Sequence, residues 1–182
     1  MAKAVGGAVS SKRAGTPDKY ANKFYGSVVE SAANTLTFDE IPTNIDIFSK
    51  AAWVLERLEW FIDQTYINYI GVADDKIQCA LTASENISTL ALSEPALIDL
   101  FELSVYVFGT PATAELVFQP FQRDFTSMNG GGLLVSPRPL FLAVKGTSLA
   151  NPVTVSCRGY YRQLVLTPAE YLDLVDFYRL LK

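Results

Sequence analysis

Histidine is absent from the 182 residues of the chain. It is the side chain that most often serves as an acid or base near neutral pH, and it is a common zinc ligand. Its absence excludes Ser-His-Asp and Cys-His catalysis, together with every zinc site that needs a histidine. An enzyme made from this chain would depend on carboxylates, so we expect no enzymatic activity and no cofactor.

Charged residues and cysteines are also scarce. Charged side chains make up 19% of the sequence and hydrophobic ones 49%, whereas about a quarter of the residues in an average protein are charged. A chain this apolar is expected to bury surface against copies of itself or against a partner. Cys79 and Cys157 both fall on apolar positions of candidate strands. This favours buried free thiols over a disulfide or a reactive site.

Long apolar runs are missing as well. No run approaches the roughly 18 residues that cross a bilayer, so we expect no membrane association. The first residues, MAKAVGGAVSS, contain too short an apolar segment for a secretory signal, and we expect no export. The length suits one domain with a substantial core.

Basic residues are concentrated at the N-terminus. Residues 1–23 contain five basic side chains and one acidic one, whereas residues 24–182 contain ten basic and eighteen acidic ones. A segment of this composition cannot offset its own ordering entropy, so we expect the arm to become ordered only on assembly. The candidates for phosphate contact are Lys3, Lys12, Arg13, Lys19 and Lys23. A solvated tail without a ligand is the alternative.

The stretch from Leu133 to Thr167 has the clearest strand pattern. Leu140–Val144 and Val153–Leu166 flank a turn, and we expect them to form a long antiparallel pair. Beyond Gly159 the apolar residues change from one face of the second strand to the other. A period of two cannot change faces without an inserted residue, so a bulge is predicted near Gly159–Tyr161.

Other segments suggest further strands. The candidates are Thr35–Phe38, Ile45–Phe48, Lys76–Ser84, Phe101–Phe108 and Thr113–Phe118. Ala51–Ile62 fits both a helical face and a strand that is interrupted at Glu56; its aromatics and flanking turns favour a strand. Ser93-Glu94-Pro95 is typical of a helix start, so one or two helical turns are predicted over Pro95–Leu100.

The chain ends with a clear helix signal. Thr167-Pro168-Ala169-Glu170 combines a capping threonine, a proline at the first helical position and a reciprocal glutamate. The expected organisation is a basic arm over 1–23, an antiparallel sandwich or barrel over 24–166 and a C-terminal helix over 167–182 that packs on the body or on a neighbour. The fold class is therefore all-β with a short C-terminal α-helix.

Several motifs have alternative explanations. Asn129-Gly130-Gly131-Gly132 favours a flexible turn over a phosphate cradle because no helix start follows it. Asp39, Glu40 and Asp46 surround a turn and favour solvated charge over calcium binding, since the spacing of a calcium loop is absent. Glu56 and Glu59, which would point to opposite faces of a strand, favour surface charge over an acid–base pair.

Aromatic and cationic residues meet in Arg158-Gly159-Tyr160-Tyr161-Arg162. Single-strand-binding surfaces combine such residues. Tyr and Arg are also enriched where subunits meet, and we favour a subunit contact.

With its strands assigned, the chain resembles the single jelly-roll coat proteins of small icosahedral viruses. The resemblance rests on the arm with Lys12-Arg13, the strands from about Thr35 to Leu166, the loop Asn129–Gly132 and the last strand pair. It implies an antiparallel β-sandwich of jelly-roll type, a virion location after assembly inside the cell, and subunits that tile into a shell. It also implies nonspecific contact between the arm and genomic nucleic acid. The arm is less basic than in coats that package by charge, and the C-terminal helix is an addition to a jelly roll.

Two other classes of function remain open at this stage. One is a β-sandwich binding module for carbohydrate or protein, with Trp53 or Trp60 as an exposed platform. The weaker one is an enzyme without histidine that uses carboxylates.

Overall fold

The computed structural model describes residues 20–42, 50–62, 75–105, 120–136, 139–149 and 151–179. These residues form nine strands and one helix. They are β1 Asn22–Val29, β2 Thr37–Ile41, β3 Ala51–Ile62, β4 Asp75–Thr82, β5 Leu97–Val105, β6 Phe121–Asp124, β7 Leu133–Val135, β8 Leu140–Thr147, β9 Thr154–Val165 and α1 Pro168–Arg179. The predicted strands over 45–48 and 113–118 lie outside the described residues.

The strands form two antiparallel sheets that pack face to face. A five-stranded sheet has the order β1-β9-β3-β6, and β7 pairs with β3 beside β6; a four-stranded sheet has the order β2-β8-β4-β5. Chain neighbours β1 and β2, β3 and β4, and β8 and β9 therefore lie in opposite sheets. This alternation of sheets produces a jelly roll, and the predicted all-β sandwich with a C-terminal helix is confirmed.

β3 is the central strand of the five-stranded sheet. All twelve residues of Ala51–Ile62 are extended, which confirms the strand prediction. Trp53 and Leu55 point into the core before Glu56, and Leu58 and Trp60 point into it afterwards. The register with β9 shifts between Leu55 and Arg57, so Glu56 is the additional residue of a bulge.

The bulge is therefore on β3 and not on β9. The pairing of β1 with β9 runs without a shift through Gly159 to Tyr161, and Val155, Cys157 and Gly159 all point inward. The prediction of an inserted residue near Gly159–Tyr161 was wrong. Tyr160 and Tyr161 lie opposite Arg57 and Leu55, so the irregularity occurs at the predicted level of the sheet but on the neighbouring strand.

β8 and β9 do not form the predicted pair. β8 lies between β2 and β4, and β9 lies between β1 and β3 in the other sheet. The connection between them crosses from one sheet to the other and is fixed by the β1–β2 connection. Gly146 and Val153 donate their N–H groups to the buried carboxylate of Glu30. Asn34 donates to the carbonyl of Leu149 and accepts from its N–H.

The core between the sheets consists mainly of aliphatic and aromatic side chains. Trp53, Trp60, Leu58, Leu81 and Leu142 are among its members, each at most 1% exposed. Cys79 and Cys157 are buried free thiols, as predicted. Burial disfavours the thiolate and raises the pKa of both cysteines well above the ordinary value.

The outer side of the four-stranded sheet is partly covered by its own chain. Ile87, Leu90 and Ala96 from the β4–β5 connection pack with Ala80 and Ala143 in a second apolar cluster. The connection leads directly into β5, and Leu97 to Leu100 pair with β4. The helical turn predicted for Pro95–Leu100 was wrong, because sheet pairing outweighs the local helix signal.

α1 begins as the sequence predicted. Thr167 Oγ1 and Thr167 N both donate to Glu170 Oε2, at 2.6 and 2.9 Å, and Glu170 N donates back to Thr167 Oγ1. This is a complete capping box. Within the described ranges, no helix is long and apolar enough to cross a membrane.

Candidate functional site

Of the five basic residues proposed for phosphate contact, only Lys23 is among the described residues. Lys3, Lys12, Arg13 and Lys19 lie outside them. Lys23 is exposed on β1, opposite Tyr160 of β9. The structure places Lys23 on the five-stranded sheet. It does not test whether the five basic residues act together in phosphate contact.

Lys23 belongs to the side of the five-stranded sheet that points away from the core, called here the outer face. On β9, Val155 and Cys157 point inward, so Arg158 and Tyr160 point outward. The same alternation places Arg57 and Glu59 of β3 outward, next to Tyr160 and Arg158 respectively. The outer face thus collects the mixed aromatic and cationic residues.

Glu59 is the centre of an ion-pair network on this face. Its carboxylate lies 3.2 Å from Arg57 Nη2 and 3.5 Å from Arg158 Nη1, and it accepts a 3.5 Å hydrogen bond from the Tyr160 hydroxyl. The Arg57 guanidinium also stacks 4.3 Å from the centre of the Tyr160 ring. These side chains cover Glu59, which is 7% exposed although it points outward.

Glu56 forms a second pair on the same face, with the Nε of Arg162. The bulge at Glu56 turns its side chain outward together with that of Arg57, so Glu56 and Glu59 share a face. The expectation that they point to opposite faces was wrong for this reason. Each carboxylate is paired with arginine. Glu59 is buried beneath its partners and Glu56 is half-buried, so the interpretation as solvated surface charge does not describe Glu59.

A groove crosses the outer face. It has a volume of about 260 Å³ and is lined by Ala21, Glu56, Arg57, Asp124, Thr126 and Tyr160. Asp124 accepts hydrogen bonds from Thr126 N at 2.7 Å and Thr126 Oγ1 at 2.6 Å. These bonds, together with the nearby charge of Arg57, hold the pKa of the Asp124 carboxyl below its ordinary value. Asp124 is thus a fixed negative charge at neutral pH.

Tyr161 does not belong to this surface. Its ring stacks on Trp53 with centroids 3.9 Å apart, and burial raises the pKa of its hydroxyl. Arg158, Tyr160 and Arg162 reach the outer face, whereas Tyr161 packs against the core.

Two other predicted sites can be judged from the structure. Asp39 and Glu40 are exposed residues of β2, and Asp46 lies outside the described residues. The described part of the chain contains no group of three or more His, Cys, Asp or Glu that could hold a metal ion. Trp53 and Trp60 are 1% and 0% exposed, so the exposed tryptophan platform of the binding-module hypothesis was wrong.

The buried carboxylates Glu30 and Asp99 were not anticipated. Asp99 accepts from Trp60 Nε1 at 3.1 Å and from Arg123 Nε at 3.2 Å. No local motif marks either residue, since their partners are distant in sequence.

No protein-family model matches the chain, and no curated protein matches it. Solved structures with a similar fold include viral capsid proteins. VP1 of Trichodysplasia spinulosa-associated polyomavirus, solved in complex with 3'-sialyllactose, matches with a TM-score of 0.51 and 6% identity over 85% of this chain and 97% of that one. An unassembled Merkel cell polyomavirus VP1 pentamer has a TM-score of 0.49 at 6% identity, covering 85% and 98%. VP1 of human polyomavirus 6 matches with a TM-score of 0.45 and 13% sequence identity, over 86% of this chain and 99% of that one. At these identities the likeness concerns the fold, and the chain has the jelly-roll fold of polyomavirus VP1 capsid proteins, as its resemblance to viral coat proteins implied.

Proposed function

We propose that the protein is a non-enzymatic capsid subunit that assembles with copies of itself into an icosahedral shell around a viral genome. The observation that carries this proposal is the sheet topology, with β1-β9-β3-β6 packed on β2-β8-β4-β5. The similarity to a VP1 capsid protein at a TM-score of 0.51 extends over 97% of that chain. Because a fold alone does not determine function, the proposal also needs support from the surface.

The surface of β1 supports association between copies. Tyr25 and Val29 point outward from this edge strand and are 63% and 56% exposed. Tyr is enriched in protein interfaces, so an exposed tyrosine on an edge strand is consistent with a contact between copies. The hydrophobic content of 49% agrees with a subunit that buries further area when copies meet.

Size-exclusion chromatography with light scattering tests the association. A monomer has a mass of 20.0 kDa, and the proposal predicts a far larger homo-oligomer at micromolar concentration in physiological salt. A monodisperse monomer under these conditions would remove the proposal.

We also propose that the arm contacts genomic nucleic acid through Lys3, Lys12, Arg13, Lys19 and Lys23. Such contacts are made with phosphates, so binding should be independent of sequence. With five contacts at most, a plot of log affinity against log salt should have a slope no steeper than about −4.5 on duplex DNA.

Replacement of Lys12 and Arg13 by alanine tests the arm directly. The salt slope should become shallower by about one to two units. An unchanged slope would move the contact to Arg158 and Arg162 on the outer face. As a separate test, deletion of residues 1–23 should leave the sandwich folded but alter particle size or yield, and identical particles would count against a role for the arm.

A further inference from the structure

The loop between β6 and β7 contains the only Asn-Gly pair of the sequence, Asn129-Gly130. The other six asparagines precede Lys, Thr, Ile, Tyr or Pro. Glycine has no Cβ, so its backbone nitrogen can approach the side-chain amide carbon of the preceding asparagine without steric hindrance. Asn129 is therefore the asparagine of this chain that is most susceptible to attack by its own backbone.

Asn129 and Gly130 are the two central residues of a β-turn. Gly131 N donates to the carbonyl of Met128 at 2.9 Å, which closes the turn. Gly130 and Gly131 have φ angles of 89° and 75°, which glycine adopts without steric cost. A Cβ on Gly130 would meet nothing within 4 Å beyond its chain neighbours, and Asn129 and Gly130 are both exposed. The two reacting groups thus lie in open space.

Neither reacting group is held by a hydrogen bond within the described ranges. The side-chain amide of Asn129 has no partner there, and the N–H of Gly130 donates to no acceptor. Asn34 provides the contrast, because its side chain donates to the carbonyl of Leu149 at 2.9 Å and accepts from Leu149 N at 2.8 Å. The amide of Asn34 is fixed, whereas that of Asn129 can rotate towards the nitrogen of Gly130.

We propose that Asn129 is a site of spontaneous deamidation in the folded protein, with water as the co-reactant. Gly130 N loses its proton and forms a bond with Cγ of Asn129. The bond from Cγ to Nδ2 breaks, and the leaving nitrogen takes up a proton and departs as ammonia. Water then opens the succinimide ring at one of its two carbonyls. The products are aspartate, or isoaspartate in which the backbone runs through the side-chain carboxyl carbon.

The reaction changes the loop where it contacts the outer face. A Cβ on Gly131 would lie 3.5 Å from Arg162 Nη2, so the new carboxylate arises two residues from a contact with this guanidinium. A Cβ on Gly132 would lie 2.6 Å from Val54 Cγ1 and 2.7 Å from the carbonyl oxygen of Leu55. The chain after the turn is thus packed closely against β3, and we expect the turn itself to accommodate the additional backbone atom of isoaspartate. The inference does not rest on the capsid function.

Peptide mapping by mass spectrometry, after incubation in mildly alkaline buffer made with H₂¹⁸O, tests the reaction. Hydrolysis of the succinimide incorporates ¹⁸O, which separates conversion during incubation from conversion during digestion. We expect aspartate and isoaspartate at position 129, with isoaspartate as the larger product, and unchanged Asn34 in the same sample. Because exposed loops open at a free-energy cost near zero, the folded protein should convert Asn129 at most about tenfold more slowly than the chain unfolded in urea. Stronger protection of Asn129, or equal conversion of Asn34 in the folded protein, would overturn the proposal.

Asn129→Gln is the matched control variant. Glutamine keeps the amide but has an additional methylene, so attack by Gly130 N cannot close a five-membered ring. Ion-exchange chromatography of the incubated protein should separate a growing fraction with one additional negative charge. This fraction should be absent from Asn129→Gln. An equal acidic fraction in the variant would place the modification at another residue and refute the assignment to Asn129.

Discussion

Trp60 in β3 donates its indole N–H to Oδ2 of Asp99 in β5, at a distance of 3.1 Å. The two residues belong to opposite sheets, so the bond crosses the sandwich. Trp60 is 0% exposed and Asp99 is 7% exposed. Arg123 of β6 neutralises the carboxylate through a 3.2 Å ion pair. Removal of one partner from such a buried hydrogen bond leaves the other partner unsatisfied, which lowers the free energy of unfolding.

Asp99→Ala should lower the free energy of unfolding by about 1–3 kcal/mol, because the buried indole N–H of Trp60 loses its acceptor. The Arg123 side chain, at 44% exposure, can turn to water and adds less. Urea denaturation of Asp99→Ala, Trp60→Phe and the double variant measures the coupling. Trp60→Phe should cost less in the Asp99→Ala background. Strictly additive effects would contradict the link.

Glu102→Ala provides the surface control for that experiment. Glu102 and Lys76 form a 2.7 Å ion pair with both side chains at least one-third exposed. Exposed pairs contribute little, so a change within about 0.5 kcal/mol is expected.

Glu30→Gln should destabilise the crossing between β8 and β9. The buried carboxylate accepts from Gly146 N and Val153 N, and an amide nitrogen in place of one oxygen would face a backbone N–H. Hydrogen bonds to charged groups contribute about 1.5–3 kcal/mol, so a loss in that range is expected in urea denaturation. Glu40→Gln, at an exposed position of β2, should be nearly neutral. If Glu30→Gln and Glu40→Gln changed the free energy of unfolding equally, the hydrogen bonds from Gly146 and Val153 to Glu30 would contribute nothing to stability.

Gly159→Ala should be destabilising because Phe24 occupies the space next to it. A Cβ at position 159 would lie 2.1 Å from Phe24 Cε1 and 2.2 Å from Cζ. Relief of such an overlap costs about 1–3 kcal/mol. In a Phe24→Leu background, the same alanine should cost less, and thermal unfolding of the four proteins measures the difference. If Gly159→Ala were equally destabilising with Phe24 and with Leu at position 24, the destabilisation would not come from overlap with the Phe24 ring.

The start of α1 should depend on pH. Hydrogen bonds from Thr167 hold the pKa of Glu170 below its ordinary value of 4.5. A carboxyl with a lowered pKa in the folded state stabilises that state above the unfolded pKa, and this contribution is lost as the pH falls through the folded pKa. Hydrogen-exchange protection of residues 167–179 should therefore drop in acid. The drop should be absent in Glu170→Gln and retained in Asp173→Asn. If both variants showed the same dependence of protection on pH, the Glu170 carboxylate would not be stabilising the start of the helix.

Local patterns predicted strands better than they predicted strand partners. The alternation in Lys76–Ser84 predicts that Ile77, Cys79, Leu81 and Ala83 point inward, because a period of two defines a face. The first three are buried, whereas Ala83 lies beyond the end of β4 and is half-buried. The alternation does not define a neighbour. β8 and β9 are adjacent in sequence but lie in different sheets. Which strands pair depends on packing across the whole domain, which the pattern of a single strand does not contain.

Irregular positions account for other differences. The interruption at Glu56, which made Ala51–Ile62 ambiguous, is the bulge itself. β1 was missed because Gly26 takes an inward position where an apolar residue would be expected. A Cβ there would lie 2.7 Å from Leu142 Cδ1, so the site has room only for glycine without repacking.

The candidate site was only partly visible in the sequence. The segment Arg158-Gly159-Tyr160-Tyr161-Arg162 contributes Arg158, Tyr160 and Arg162 to the outer face, whereas Tyr161 packs against the core. The subunit contact predicted for this segment stays a prediction. The roles of Glu59 and Asp124 depend on cross-strand neighbours, such as Arg57 opposite Asp124. Pairings of this kind join residues that are far apart in the chain, so the spacing of residues within one segment does not predict them.

Electron microscopy of the purified protein tests the central claim most directly. The account predicts closed, uniform particles with icosahedral symmetry, tens of nanometres across. In a reconstruction of these particles, every subunit position should contain a sandwich with the sheet orders β1-β9-β3-β6 and β2-β8-β4-β5. Fields of 20.0 kDa monomers, or only irregular aggregates, under conditions where the protein is folded would contradict the account.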